Sequence, residues 1–239
     1  QVSNCDEQLS GEMLDSEYRE LVQSLNQKQM EFFYHVLHLV KTTNDPIYNF
    51  LSGGAGVGKS VLLKALYQAL IKFYSRKAGE NPDDCSVLVC APTGKAAYNV
   101  GGLTIHSAFN IPADQGFKFK PLDMQQLCSY QAKYKSLKMI FIDEISMVGK
   151  RMFNFINLRL QEIMGSLIPF GGVSVIAFGD LFQLKPVRDA WIFSSGYSSG
   201  NELEILGPNL WQDLFSLFEL TEIMRQKDDI EFAQLLNRL

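Results

Sequence analysis

Little in the 239 residues points to a membrane, a secreted scaffold or a metalloprotein. No apolar stretch reaches the roughly 18–20 residues that a membrane span requires. The acidic, polar start resembles neither a secretory signal nor a transit peptide. Cysteine is scarce: Cys5, Cys85, Cys90 and Cys128 are scattered, with no C-x-x-C pair and no histidine partner at metal-ligand spacing. That argues against a disulfide framework or zinc site and for reduced intracellular thiols. Positive charge is short as well, with 22 Lys and Arg against 26 Asp and Glu and a net charge of −4. Coating of nucleic acid through bulk charge is therefore not expected. No internal repeat is visible.

What is present begins with the run Gly53-Gly54-Ala55-Gly56-Val57-Gly58-Lys59-Ser60, a complete G-x-x-x-x-G-K-S loop. Ile47, Tyr48, Asn49, Phe50 and Leu51 before it have strand composition. After it, Val61, Leu62, Ala65, Leu66, Ala69, Leu70 and Phe73 recur at the spacing of one helical face. A glycine-rich turn between strand and helix points backbone N–H groups at the α- and β-phosphates of a nucleoside triphosphate, where the positive end of the helix adds attraction. Lys59 is expected to reach the β- and γ-phosphates and the Ser60 hydroxyl to ligate Mg²⁺.

A hydrophobic content of 46% supports a buried core. A helix is expected before the first strand, ending near Lys41. The runs 87–91, 139–142 and 173–178 are apolar almost without a break, as in strands buried on both faces of a parallel sheet. Alternation of strands and helices implies an α/β, doubly wound parallel sheet with helices on both faces. Residues 1–24 read as a poorly defined lead-in and 25–239 as the ATPase domain. Residues 112–138 and 194–201 read as surface insertions. The chain does not begin with Met and stops inside a helical pattern, so it reads as a fragment of a longer protein.

Further chemistry follows the later strands. Phe141-Ile142-Asp143-Glu144 ends an apolar strand in two carboxylates. In a parallel sheet all strand C-termini open on one edge, so Asp143 is expected to hold Mg²⁺ and Glu144 to orient and deprotonate the attacking water, provided the strands lie close. Gln183, in Gly179-Asp180-Leu181-Phe182-Gln183, can hydrogen-bond a γ-phosphate, or it is a surface amide. Arg225 is an arginine-finger candidate or a plain surface charge. Lys118, Lys120, Lys133, Lys135, Lys138, Lys150 and Arg151 against Asp123, Asp143 and Glu144 make a basic middle segment, which reads either as a solvated face or as a binding one.

Taken together, the runs 53–60, 91–97, 104–109, 141–147, 178–187 and 220–226 resemble, in order and spacing, the Pif-type DNA helicases of superfamily one B. The resemblance covers nearly the whole chain from about Leu25. It implies the first RecA-like motor domain of a P-loop NTPase. Its motor would be driven by ATP and Mg²⁺, move five-prime to three-prime on single-stranded DNA and open fork or duplex DNA. Repair, recombination and telomere maintenance are implied, and some relatives belong to Helitron-like mobile elements. The family's adenine-reading glutamine matches Gln29, and its strand-contacting segments match Thr93, Gly94, Lys95, Thr104, His106, Ser107 and Phe109. Of these, Thr93, Lys95, His106 and Ser107 offer phosphate-directed donors and Phe109 a stacking ring; His106 serves equally well as a structural histidine. Phe117, Lys118, Phe119 and Lys120 stand where the family inserts a strand-separating wedge. Lys185 stands where many relatives carry proline. Nothing after Arg225 resembles the second motor domain, so the fragment alone should not unwind DNA.

Two other readings remain. A P-loop kinase or GTPase lacks support because the guanine-reading Asn-Lys-x-Asp tetrad is missing and the carboxylate pair suits water activation. An adaptor that binds ATP and DNA without turnover is the other. A DNA substrate and reduced cysteines point to the nucleus, a mitochondrion or a prokaryotic cytoplasm.

Overall fold

The computed structural model of the chain describes residues 12–76, 84–112, 119–194 and 209–224. Its elements run α1 (Asp15–Gln23), α2 (Gln27–Thr42), β1 (Tyr48–Gly53), α3 (Lys59–Ser75), β2 (Val87–Ala91), α4 (Gly94–Asn99), β3 (Leu103–Thr104) and α5 (Ile105–Phe109). They continue with α6 (Met124–Tyr134), β4 (Met139–Ile142), a 3₁₀ turn (Ile145–Met147), α7 (Lys150–Met164), β5 (Ser174–Gly179), α8 (Leu210–Leu214) and β6 (Ser216–Leu220). The strands form one sheet in the order β3-β2-β4-β5-β1-β6, and every pairing is parallel.

Alternate residues of each central strand face opposite layers, which explains the unbroken apolar runs. Leu88, Cys90, Ile140, Ile142, Val175 and Ala177 pack under α5, α6 and α7. Val87, Val89, Met139, Phe141, Ile176 and Phe178 pack under α2 and α3. A strand that must fill both layers has no polar face, and each fully buried Ile, Leu or Phe contributes roughly 1.5–3 kcal/mol.

The helices start where local chemistry permits. Asn26 and Gln29 form a capping box at α2, and Asp123 and Gln126 form another at α6. Both satisfy N–H groups that a helix start would otherwise leave without partners. α1 lies in the stretch read as a poorly defined lead-in. Lys72 on α3 holds it by bonds to Asp15 (2.8 Å), Glu12 (3.0 Å) and the carbonyl of Met13 (2.9 Å).

Residues 112–138 are not only a surface insertion. Their second half is α6, which carries buried Tyr134 and leads through buried Leu137 into β4. The Tyr134 hydroxyl donates to the carbonyl of Ala108 in α5 (2.9 Å), and that of Tyr130 donates to the carbonyl of Ser107 (3.3 Å). On α7, Arg159 pairs with Glu162, donates to the carbonyl of Lys120 (3.0 Å) and lies over the ring of Phe119. Glu162 also accepts from the Leu122 amide (2.7 Å). The returning segment is thus tied to the core at 119–122. Phe117, Lys118 and most of 194–201 lie outside the described residues.

Candidate active site

Because every strand is parallel, the C-terminal ends share one edge. Along it stand, in order, Thr104 at the end of β3, Pro92 and Thr93 after β2, Asp143 and Glu144 after β4, Asp180 after β5, the loop 54–58 after β1, and Thr221 after β6. Only β5 separates the phosphate loop from the carboxylate pair. At 4.7–4.9 Å per strand, β4 lies about 10 Å from β1, β2 about 14 Å and β3 about 19 Å.

The loop's geometry demands glycine. Gly56 and Gly58 have φ of 82° and 80°, a left-handed conformation that side chains resist. A Cβ at Gly58 would also lie 2.4 Å from Gln29 Nε2. Gln29 is fully buried under the loop; its Nε2 donates to the carbonyls of Val57 (3.0 Å) and Gly58 (3.3 Å), and its Oε1 accepts from the Asn26 amide (2.9 Å). In this structure the amide expected to read adenine braces the phosphate loop and closes the α2 capping box. Val57 also buries its side chain in the core beneath the loop. Lys59 Nζ donates to the carbonyls of Gly53 and Gly54 (3.0 Å to the latter), across the loop rather than outward.

Electrostatics join the loop to its neighbours. Burial lowers the pKa of the Lys59 ammonium, and Glu144, Asp180 and Asp143, in that order, oppose the shift. Three carboxylates that follow β4 and β5 therefore act on one lysine at the start of α3. Burial first, and the charge of Glu144 second, raise the Asp143 carboxyl to about 6. The Asp143 amide still donates to the carbonyl of Cys90 (2.9 Å), so the ladder runs one residue past β4. Glu144 then sits at φ 51°, an uncommon conformation for a residue with a side chain, and opens the 3₁₀ turn. Asp180 was not singled out in the sequence, although the signal, an acid directly after an apolar strand, was the one that marked Asp143.

Among the described residues no group of three or more His, Cys, Asp or Glu is placed to hold a metal by itself. Ser60 and Asp143 offer one hydroxyl and one carboxylate, which fits Mg²⁺, an ion that takes one or two protein oxygens and completes its shell with phosphate and water.

Gln183 lies exposed in the loop after β5, with its amide donating to the carbonyl of Asp180 (3.0 Å), and it makes no described contact with the phosphate loop. Arg225 lies outside the described residues. Its predecessor does reach the site: the Met224 amide donates to the carbonyl of Gly56 (2.9 Å), and Met224 Sδ accepts from Asn26 Nδ2 (3.2 Å).

At the other end of the edge, Thr93 caps α4 by accepting from the Ala96 amide (3.2 Å), and Thr104 caps α5 by accepting from that of Ser107 (3.2 Å). Gly94, Lys95 and Ser107 are exposed and His106 half-buried. Phe109 departs from expectation. It is fully buried with Ile105 and Ala108 and presents no ring face to a base. Those three residues are the inward i, i+3, i+4 stripe of α5, which leaves His106 and Ser107 on its outer side.

Residues 24–237 match the model of the PIF1-like helicases. The chain belongs to the PIF1-like helicase family. The ATP-dependent DNA helicase PIF1 of Candida albicans is 31% identical over 211 residues, covering 84% of this chain and 22% of the relative. ATP-dependent DNA helicase Pif1 of Campylobacter jejuni is 32% identical over 198 residues, covering 79% and 39%. Among solved structures, Pif1 helicase from Candida albicans superposes with a TM-score of 0.65 at 28% identity, over 90% of this chain and 43% of that one. Pif1 from Bacteroides in complex with ADP-AlF3 and ssDNA gives 0.59 at 31%, over 87% and 45%. The chain thus spans less than half the length of these relatives. The parallel sheet matches their RecA-like P-loop domain.

Proposed function

We propose that this chain is the nucleotide-hydrolysing motor domain of an ATP-dependent DNA helicase, working with ATP and Mg²⁺ on single-stranded DNA and on fork or duplex DNA. The observation that carries the reading is the adjacency of β4, β5 and β1, which brings Glu144, Asp180 and Asp143 into electrostatic reach of Lys59 at one sheet edge. Family membership supports it, as does the similarity to a Pif1 in complex with ADP-AlF3 and ssDNA.

In this reading the loop amides of 53–58 and Lys59 hold the phosphates, while Ser60 and Asp143 hold Mg²⁺. The metal neutralises charge on the phosphate oxygens when bound. Glu144 orients water toward the γ-phosphate and takes its proton. Gln183 and Arg225 contact the γ-phosphate and stabilise the charge that develops there. Gln29 reads the base: its Oε1 keeps one lone pair for the adenine amino group, and the long bond to Gly58 is the one an adenine nitrogen would replace. Thr93, Gly94, Lys95, Thr104, His106 and Ser107 face the strand, and translocation runs five-prime to three-prime. Action on DNA places the protein in the nucleus, with a mitochondrion as the second location, and imaging of the tagged protein distinguishes them.

The test is ATP hydrolysis by the full-length protein with and without single-stranded DNA. Stimulation by DNA is expected. Glu144→Gln should leave ATP binding intact and lower kcat by at least about 100-fold, the scale of general-base loss. Hydrolysis indifferent to DNA would overturn the helicase reading and spare the nucleotide site.

A further inference from the structure

A carboxylate outside the nucleotide and DNA sets joins two parts of the site. Asp189 lies in the irregular segment that begins at Asp180, yet its side chain is only 2% exposed while residues 182–185 and 187–188 around it are open. Its oxygens accept from the backbone amides of Ala190 (2.8 Å), Arg151 (3.1 Å) and Met152 (3.2 Å) and from Arg151 Nε (3.2 Å). The Lys150 amide donates to the carbonyl of Ala190 (3.0 Å), and the Arg151 guanidinium donates to that of Arg188.

The amides of Arg151 and Met152 open α7, whose own N-cap, Gly149, has no side chain to satisfy them. Ser, Thr or Asp at 149 would cap the helix locally. The fold instead leaves that position bare and brings the acid from nearly forty residues downstream. A Cβ at Gly149 would lie 2.3 Å from Asp189 Cγ and Oδ2, so the cap and the bare position require each other.

α7 follows the 3₁₀ turn opened by Glu144, and five residues separate Asp189 from Gln183. At its start the loop is fixed by Asp180, whose Oδ1 accepts from Phe182 (3.0 Å) and whose carbonyl accepts from Gln183 (3.0 Å). We propose that Asp189 is a positioning residue that locks the Gln183 loop to the helix behind Glu144, so that the γ-phosphate contact and the water-activating carboxylate keep one relative geometry. The assignment rests on the hydrolytic reading of Gln183 and Glu144.

Asp189→Ala and the isosteric Asp189→Asn are compared with Asp123→Ala, which removes an ordinary cap from α6. In the full-length protein all three should lower Tm. Only the Asp189 variants should lower kcat, by at least about tenfold, with KM for ATP within about twofold. In wild type, ADP-AlF3 should slow hydrogen exchange at the amides of 150–152, and in Asp189→Asn that protection should vanish. Asp189→Asn covers the case in which the alanine variant fails to fold. If the Asp189 variants lose Tm but keep kcat and exchange protection, like Asp123→Ala, then Asp189 is a helix cap and the proposal is overturned. A wild-type protein that binds the analogue but turns over no ATP contradicts the hydrolytic reading instead, and the exchange comparison still decides the joint.

Discussion

Asp143 sets chemistry against stability within a single side chain. Its carboxyl rises from an ordinary value of 3.8 to about 6, chiefly through burial, so the folded state binds this proton more tightly than the unfolded chain does. The group therefore supports the fold fully below about pH 3.8, and that support is lost as pH climbs through about 6. Asp143→Asn should melt above wild type at pH 7.5, by about 1–3 kcal/mol, with the difference closing toward pH 4. The same variant should lose magnesium-dependent turnover, and thermal melts across pH beside a turnover assay check both. At this scale what the sequence made legible is position: an acid directly after an apolar strand and a lysine closing a glycine-rich loop come within electrostatic reach of each other, as at Asp143 and Lys59. Gln29 is harder to read, because the same side chain closes the Asn26-x-x-Gln29 capping box and, through packing that spacing alone does not reveal, braces the carbonyl of Val57 in the loop. At Phe109 helical periodicity overrides the motif: the i, i+3, i+4 stripe it forms with Ile105 and Ala108 turns its ring into the core.

The least legible element is α6. Its stretch looks polar and basic, yet Asp123-x-x-Gln126 starts a helix, and Leu127, Tyr130 and Tyr134 follow at helical spacing. What composition hides is that tyrosine buries a ring and still spends its hydroxyl on a carbonyl, here on α5. α6 therefore buttresses the helix that carries His106 and Ser107. Tyr134→Phe should cost about 1–2 kcal/mol by leaving the Ala108 carbonyl unmet. It should also weaken single-stranded DNA binding while KM for ATP without DNA stays at the wild-type value. Chemical denaturation and fluorescence anisotropy with a labelled oligonucleotide measure the two effects.

Across the molecule, strand order spaces the candidate groups along one edge, those proposed for the nucleotide on β4, β5 and β1 and those proposed for the DNA strand on β2 and β3. The unbroken apolar runs made a parallel sheet legible, because each strand fills both layers. Strand order was not legible, since the pairing of β1 with β5 and β6 is decided by contacts distant in sequence. Lys95→Ala should weaken DNA binding and flatten its dependence on salt by roughly one phosphate contact, leaving ATP affinity untouched. Titrations over a range of salt, set beside nucleotide binding, test that separation.

The sheet is also a ruler graduated by hydrogen bonds. Its marks stand one strand apart, roughly 4.8 Å, and no side chain can move them. Substitution can change which group stands at each mark, but the spacing between marks changes only in whole graduations, when a strand is added, lost or reordered.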